Sequence, residues 1–221
     1  MMNLDFSILL PFTNLVWEAA EITIKIGVLS FVLALVLAII VGSLRAANIP
    51  KVLKSILSVY VEFFRGTPLM VQLFIFYYGL PSFGMKVDPI LASVLTMGLN
   101  SGAYLSEVVR AAVLSVDRGQ YDAAAVLGYN HIQTTVHIVL PQAFRIAVPT
   151  FMNGFSSIVK ETSLVSVLPI IELTKLGNQV YAKTYHPFEV YISLAIIYFI
   201  MTYTVTFLAK WIERRLSIWI D

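Results

Sequence analysis

Residues 115–141 read SVDRGQYDAAAVLGYNHIQTTVHIVLP, and the interpretation of the fold starts from this stretch. Residues 120–127 are rich in helix formers and end at Gly128, a residue that suits the left-handed position after a helix end. Asn130 is placed to cap a second short helix, with Gln133 at the third position of a capping box. The stretch therefore predicts a compact helix-turn-helix elbow rather than a disordered linker.

Long apolar stretches lie on both sides of this elbow. The 221-residue chain is 58% hydrophobic and 13% charged, with mean hydropathy +0.82, whereas soluble domains are about 25% charged. Charge-free runs occupy residues 26–44, 66–85, 89–106 and 190–209. At about 1.5 Å per helical residue, each run can cross a hydrocarbon layer of about 30 Å if tilt is allowed for. A shorter run, 146–159, stops at Lys160-Glu161, and apolar residues then resume.

These runs predict an all-α integral membrane protein with five transmembrane helices. The predicted spans are about 17–44, 56–81, 88–114, 139–166 and 188–212, and the elbow, about 115–137, joins the third to the fourth. Residues 1–221 are interpreted as one transmembrane domain. The first five residues lack the basic region of a cleavable signal peptide, so the first apolar segment is expected to stay in the protein.

The distribution of basic residues predicts the orientation. With the N-terminus outside, ten of the 15 Lys and Arg residues face the inner side, and the positive-inside rule favours this arrangement. The ten are Arg45, Lys51, Lys54, Arg65, Arg110, Arg118, Arg145, Lys210, Arg214 and Arg215. Trp17 and Trp211 lie where an interfacial aromatic belt is expected. We therefore predict a multi-pass protein with its C-terminus and the elbow in the cytoplasm.

Motifs in the elbow resemble those of a known family. Asp122-Ala123-Ala124, Gly128 after three residues, and Ile138-Val139-Leu140-Pro141 after nine more are similar to the EAA loop of bacterial ABC-importer permeases. Asp122 stands where that family usually has glutamate. Aspartate keeps the negative charge but has a shorter side chain. Residues 62–72, 99–104 and 160–164 resemble parts of the second, third and fourth spans of its polar amino acid (histidine, arginine and glutamine type) permeases.

The resemblance implies a function and a set of partners. It implies the transmembrane subunit of an ATP-driven importer that moves a polar amino acid through a bacterial cell membrane by alternating access. It further implies a second permease copy, identical or similar, and an extracytoplasmic solute-binding protein that docks at 86–88 and 170–185. Finally, it implies that Asp122, Ala123, Ala124, Gly128 and Pro141 couple to a cytoplasmic ABC ATPase dimer, which would hold ATP and Mg²⁺; no cofactor is expected in this chain.

Polar side chains recur at helical spacing along three of the predicted spans. A central charge in hydrocarbon costs about 2.5–3.5 kcal/mol on insertion scales, so such side chains normally face protein or water. A free amino acid needs acceptors for its ammonium group and donors for its carboxylate. We predict a mid-membrane pathway lined by Gln72, Asn100, Asn153 and Glu161, with Glu161 taking a cationic group of the substrate.

Structural roles compete with this interpretation. Polar residues also serve as contacts between helices, and Lys160-Glu161 can lock helices together. The pairs Glu62–Arg65 and Glu107–Arg110 are interpreted as structural or gating pairs near the inner face. Gly66-Thr67-Pro68 and, similarly, Pro149 predict helix breaks, which either line a transport site or form fixed kinks.

Several functions are disfavoured by the sequence. No Gly-x-x-x-x-Gly-Lys-Ser/Thr loop occurs, so the chain is not expected to be an ATPase. The three histidines are not spaced as metal ligands, and Ser30, Ser43 and Ser93 have no base at readable spacing, which argues against an intramembrane enzyme. A net charge of +2 is too small to suggest nucleic acid. A self-contained secondary transporter or channel remains the alternative, although no inverted repeat is evident.

The substrate is less well specified than the family. Glu161 favours a basic amino acid such as arginine, lysine or histidine, whereas the adjacent Lys160 weakens that inference. Glutamine therefore remains an alternative substrate. The sequence leaves open whether the second permease copy is identical or only similar.

Overall fold

The structure is a computed structural model that describes residues 4–217, with side chains as far as Leu208. The side chains of Trp211, Lys210, Arg214 and Arg215, which the sequence placed near the end of the last span, lie outside the described residues. All regular structure in the described part is helical, so the predicted all-α class is confirmed. The α-helices are α1 (Thr13–Ala46), α2 (Lys51–Gly66), α3 (Leu69–Phe74), α4 (Pro89–Leu114), α5 (Arg118–Val126), α6 (His131–Thr134), α7 (Leu140–Glu161), α8 (Leu173–Thr184) and α9 (Pro187–Ser217).

Shorter helical segments connect several of these helices. Segments Phe6–Phe12, Leu80–Phe83 and Thr162–Val167 are 3₁₀-helical, and Ile75–Gly79 and Thr135–Val139 form wider π-helical turns. The first of them leads directly into α1. The second π-helical turn joins the elbow to α7, so α6 and α7 are continuous in backbone hydrogen bonding.

The number of membrane-length helices differs from the prediction. Among the described residues, Phe6–Ala46 and Pro187–Leu208 are long and apolar enough to cross a membrane, and α2 with Leu69–Phe83 adds a third candidate as a pair bent by 106°. Length and hydropathy therefore give two or three spans, not five. The predicted third and fourth spans fall short because α4 and α7 carry hydroxyl, amide and charged groups along their length. These polar groups lower the mean hydropathy of both helices.

Small residues let α1 and α4 pack closely against each other. Ala34 and Ala38 of α1 are fully buried in the main core. A Cβ atom added at Gly42 would lie 2.5 Å from the Ser106 carbonyl oxygen, and one at Gly98 would lie 2.8 Å from Leu33 Cγ. Close backbone approach at small residues is typical of helix pairs in membranes. The α1–α4 pair therefore forms the rigid centre of the fold.

An ion cluster links α1, α2 and α4 near the C-terminal ends of α1 and α4. Glu107 of α4 pairs with Arg45 of α1 and with Arg110, whose Nη2 lies 2.8 Å from Glu107 Oε2. Arg45 Nε also donates to Ser58 Oγ of α2 at 3.3 Å. One carboxylate thus holds two guanidinium groups, and the interpretation of Glu107–Arg110 as a structural pair agrees with this geometry.

At the other end of the α1–α4 pair, the buried carboxylate of Glu172 anchors α8. Glu172 is fully buried and caps α8, accepting from the backbone N–H groups of Thr174 and Lys175 at 2.9 and 2.6 Å. Tyr198 of α9 donates its hydroxyl to the same carboxylate at 3.1 Å. Burial raises the pKa of Glu172, and these hydrogen bonds offset part of the shift. The carboxylate thus fixes α8 against α9.

Candidate functional site

A helix break lies at the centre of the site. α2 ends at Gly66 and α3 begins at Leu69, because Pro68 has no N–H group to continue the helical ladder and Thr67 is extended. The chain turns by 106° there, as the sequence predicted for Gly66-Thr67-Pro68. Pro149 behaves differently, since α7 continues through it; the interpretation of Pro149 as a second break is wrong.

Two buried amides satisfy carbonyl groups that the break leaves without helical partners. Gln72 Nε2 donates to the Phe64 carbonyl at 3.0 Å and to Thr67 Oγ1 at 2.7 Å. Asn100 Nδ2 donates to the same Phe64 carbonyl at 2.9 Å and to Gln72 Oε1 at 3.0 Å. Gln72 is 1% exposed and Asn100 7%. A buried carbonyl without a partner costs about 1–3 kcal/mol, so this network holds the broken ends of α2 and α3 against α4.

A cavity of about 610 Å³ opens beside the break. It lies between the broken end of α2, the middle of α4 and the last two turns of α7. Its lining residues are Arg65, Gly66, Thr67, Pro68, Leu69, Asn100, Ser101, Tyr104, Leu105, Gly154, Ser157, Ile158, Glu161 and Leu164. This volume lies within the range of small-molecule sites, about 300–1,000 Å³.

The cavity wall carries one cation and one anion. Arg65 lies with its guanidinium carbon 5.4 Å from the centroid of the Tyr104 ring, and Tyr104 donates its hydroxyl to the Arg65 carbonyl at 3.2 Å. Glu161 lines the same cavity from α7. Among the side chains that the structure describes, Glu62 forms no ion pair with Arg65, so the predicted pairing is wrong. The attraction between the guanidinium group and the Tyr104 ring positions Arg65 at the cavity instead.

The four predicted pathway residues occupy three different environments. Asn100 and Glu161 line the cavity, whereas Gln72 lies behind its wall and reaches it only through Asn100. Asn153 is exposed on α7 and does not line the cavity. A role in substrate passage stays a prediction for all four. The sequence interpretation missed Arg65 as a cavity residue, because the broken helix carries it toward Tyr104.

The elbow has the local structure that its sequence predicts. Gly128 takes a left-handed conformation, with φ of 78°, after the end of α5. The Gln133 N–H group donates to Asn130 Oδ1 at 2.9 Å, and the Asn130 N–H group donates to Gln133 Oε1 at 3.0 Å. Both halves of the predicted capping box are therefore confirmed. The elbow is an ordered structure rather than a linker.

The elbow presents apolar side chains on its surface. Val126, Leu127 and Ile132, which we call the elbow patch, are 87%, 73% and 76% exposed. Ala124 is buried and anchors α5, whereas Asp122 and Ala123 are exposed. The three side chains of the elbow patch give the ordered elbow exposed apolar surface. The motif in the sequence predicts a coupling role for Asp122, Ala123, Ala124, Gly128 and Pro141 and does not include the elbow patch.

α7 connects the elbow mechanically to the cavity. Pro141 lies in the first turn of α7, directly after the π-helical turn, and Gln142 Nε2 donates to Gln120 Oε1 of α5 at 3.3 Å. The 22 residues of α7 then run about 33 Å to Glu161 at its other end. One helix therefore reaches from the elbow to the cavity wall.

Membrane-length helices, a polar cavity at a helix break and an ordered elbow define a membrane transport component. The family of binding-protein-dependent transport system inner membrane components matches residues 15–218, and the chain belongs to this family. It is a multi-pass inner membrane protein of the polar amino acid group of ABC-importer permeases. In this family the permease is not an enzyme, and a separate ATPase hydrolyses ATP.

Curated relatives match over most or all of their length. The L-cystine transport system permease protein TcyB of Bacillus subtilis is 40% identical over 88% of this chain and 83% of the relative. The arginine transport system permease protein ArtQ of the same species is 36% identical over 98% and 99%. The glutamine transport system permease protein GlnP of Escherichia coli is 34% identical over 98% and 100%. Their names span three different substrates.

Solved structures agree with the fold. A crystal structure of an amino acid ABC transporter with histidines superposes with a TM-score of 0.88 at 36% identity, covering 97% of this chain and 100% of that one. An inward-facing structure of the MetNI methionine ABC transporter superposes with a TM-score of 0.81 over 93% and 98%, at 19% identity, and supports the fold alone. Within the described part of the chain, no group of three or more His, Asp or Glu side chains is arranged to hold a metal ion.

Proposed function

We propose that this chain carries a polar, basic amino acid into the cell by alternating access, driven by ATP hydrolysis on a partner. The observation that carries the proposal is the cavity at the helix break, which presents Arg65 and Glu161 and is joined to the elbow by α7. A zwitterionic substrate with a cationic side chain needs opposite charges of this kind. The elbow supplies a connection through which a motor could move the cavity wall.

We propose a topology of five transmembrane spans, although only two or three of them meet the criterion of length and hydropathy. We assign them to α1, the bent pair of α2 with Leu69–Phe83, α4, α7 and α9. The polar groups that reduce the hydropathy of α4 and α7 include Asn100 and Glu161, which face the cavity rather than lipid. Charged or polar side chains inside membrane spans normally face such cavities. The excess of basic residues on one side supports an N-terminus outside and a C-terminus in the cytoplasm.

The proposed basic specificity rests on assigning Glu161 to the side chain of the substrate rather than to its α-ammonium group. Glu161 would take the cationic side chain of the substrate, and the Arg65 guanidinium would take its carboxylate. Lys160 is exposed and does not line the cavity, so it weakens this assignment less than its position beside Glu161 suggests. Asn153, which is exposed on α7, is available to a second permease copy rather than to this cavity.

The proposed partners occupy three different surfaces. A cytoplasmic ABC ATPase dimer, holding ATP and Mg²⁺, would dock on the elbow through Asp122, Ala123 and the elbow patch, with Ala124, Gly128 and Pro141 maintaining its shape. A second permease copy, identical or similar, would complete the pathway. An extracytoplasmic solute-binding protein would dock at 86–88 and 170–185, where Glu172 fixes α8. The lipid bilayer surrounds the remaining apolar faces.

The substrate class is tested by ATP hydrolysis in proteoliposomes that contain the complete importer and its binding protein. We expect arginine, lysine or histidine to stimulate hydrolysis several-fold and leucine to have no effect, because leucine has no cationic side chain for Glu161 to take. The matched control omits the binding protein and should abolish stimulation by every amino acid. Stimulation by glutamine or cystine without a response to basic amino acids would contradict basic specificity and leave the import function intact.

A further inference from the structure

The side-chain amide of Asn100 has one atom that the hydrogen-bond network at the helix break does not use. Its Nδ2 donates to the Phe64 carbonyl and to Gln72 Oε1, so both of its N–H groups have partners. Among the hydrogen bonds of residues 4–208, none ends on Asn100 Oδ1. Within this part of the chain, the fully enclosed side-chain oxygens without a partner are those of Ser30 and Ser43, so Asn100 Oδ1 keeps accessible surface. Because Asn100 lines the cavity, it presents a hydrogen-bond acceptor there.

The helix break explains why the oxygen of this amide, and not its nitrogen, faces the cavity. The Phe64 carbonyl would accept its helical hydrogen bond from residue 68, and Pro68 has no N–H group. A backbone carbonyl only accepts, so the neighbouring amide must turn its nitrogen toward it. Exchanging the two ends of the Asn100 amide would place two acceptors 2.9 Å apart. The carbonyl that proline leaves without a partner thus determines which end of Asn100 remains for the cavity.

Gln72 imposes the same orientation from behind the cavity wall. Its Nε2 lies 3.0 and 3.1 Å from the carbonyl oxygens of Phe64 and Thr67, which keeps its nitrogen toward the break. Its Oε1 is therefore left to face Asn100, and this acceptor requires a donor opposite it at 3.0 Å. Gln72 is almost fully buried and does not line the cavity. It can influence a bound molecule only through Asn100.

We propose that Gln72 is a positioning residue, which holds the Asn100 oxygen toward the cavity so that this oxygen accepts from the α-ammonium group of the substrate. The inference rests on the proposed function, in which Arg65 takes the carboxylate and Glu161 takes the cationic side chain. Those two assignments leave the α-ammonium group without an acceptor, and the amide oxygen supplies one. The α-ammonium group would then be recognised independently of the side chain that the substrate carries.

The test is equilibrium dialysis of the purified importer complex in detergent, without its binding protein, so that the permease itself selects the ligand. Arginine is compared with 5-guanidinopentanoate, which lacks the α-ammonium group, and with agmatine, which lacks the carboxylate. Glutamine is compared with 4-carbamoylbutanoate, its counterpart without the ammonium group. We expect wild type to bind the amino acid about 10-fold more tightly than the counterpart without the ammonium group, because a hydrogen bond from a charged donor is lost.

Two variants separate positioning from contact. Gln72→Met keeps the length of the side chain and removes both ends of its amide, so it should lower the ammonium preference about fivefold, the equivalent of one hydrogen bond. The preference for arginine over agmatine should stay as in wild type, because Arg65 is unchanged. Asn100→Leu removes the oxygen itself and should lower the ammonium preference at least as far. Thr96→Val is the matched control, since it removes a buried hydroxyl group one turn before Asn100 that bonds within α4, and it should leave both preferences unchanged.

Several results would overturn the proposal. An equal ammonium preference in wild type and Gln72→Met would exclude Gln72 from recognition, and a parallel fall of the ammonium and carboxylate preferences would reduce its role to stability. Loss of the ammonium preference in Glu161→Gln but not in Asn100→Leu would assign the ammonium group to Glu161. Wild type gives a test that needs no variant, because equal binding of each amino acid and its deaminated counterpart, or binding of neither amino acid, would also overturn it.

The glutamine pair separates this inference from the proposed function. An ammonium preference that depends on Gln72 and is seen with glutamine, without binding of arginine, would contradict basic specificity alone. That result would support the positioning role of Gln72, because the α-ammonium group is common to both amino acids.

Discussion

Replacing Val126 and Ile132 together by aspartate should abolish ATP-driven transport and leave the permease folded. Both side chains are largely exposed, so aspartate at either position disturbs no core of this chain. At a docked interface, however, each charge would be buried without a partner. An interface residue that acts as a hot spot contributes about 2 kcal/mol or more, which is roughly 30-fold in affinity. Co-purification of the ATPase with the permease and ATP-dependent uptake measure the effect.

Val126→Leu is the matched control for this prediction, because it changes the side chain and keeps the patch apolar. It should retain the ATPase and transport at nearly the wild-type rate. The thermal unfolding temperature of all variants should match that of wild type. If the aspartate variant binds the ATPase as tightly as wild type, the elbow patch is not the docking surface; deletion of residues 122–128 would then show whether any part of the elbow is required.

Glu161→Gln should reduce uptake of a basic amino acid by about 10- to 100-fold. The substitution keeps the size and hydrogen-bonding capacity of the side chain and removes the charge that faces the cavity. A hydrogen bond to a charged group is worth about 1.5–3 kcal/mol. Loss of that free energy reduces the rate or affinity by about 10- to 100-fold if the bond forms during transport. Uptake rates and apparent affinities, measured in proteoliposomes over a range of substrate concentrations, determine whether binding or passage is affected.

Lys160→Gln provides the neighbouring control. Lys160 is exposed and does not line the cavity, so its removal should change uptake less than twofold. A larger loss for Lys160→Gln than for Glu161→Gln would reverse the assignment of the two residues. Unchanged rate and affinity in Glu161→Gln would remove the carboxylate from the pathway altogether.

The sequence predicted the elbow well because its structure is determined locally. A glycine after a helix end and a reciprocal cap between Asn130 and Gln133 involve residues within a few positions of each other. Both features can therefore be predicted from the types and spacing of a few neighbouring residues. The break at Gly66-Thr67-Pro68 was predictable for the same reason, since proline cannot donate to a helical ladder.

The sequence predicted the site less completely because the site depends on contacts between distant segments. Asn100 bonds to Phe64 and Gln72, which are 36 and 28 residues away, and no local pattern indicates that both amides serve the broken helix. Arg65 reaches Tyr104 because α2 packs against α4, which lies far along the chain. Pro149 was misinterpreted because proline inside a helix is compatible with continuation when packing supports the helix.

The difference in span count has a related cause. A hydropathy criterion assumes that the whole surface of a helix faces lipid, whereas α4 is largely buried against α1, α2 and α7. Polar residues such as Ser93 and Thr96 are then acceptable, because they donate to carbonyl groups of their own helix at 2.8 and 2.7 Å. Helices inside a membrane bundle can therefore be less apolar than the lipid-facing α9.

We propose that a nucleotide-driven motor moves this chain through its elbow. The most direct measurement is uptake of labelled arginine into proteoliposomes that contain this chain, with the ATPase and ATP inside and the binding protein outside. We expect accumulation only when the ATPase, ATP and the binding protein are all present. Accumulation at the same rate without the ATPase, driven by a proton or sodium gradient, would contradict it and identify a self-contained transporter.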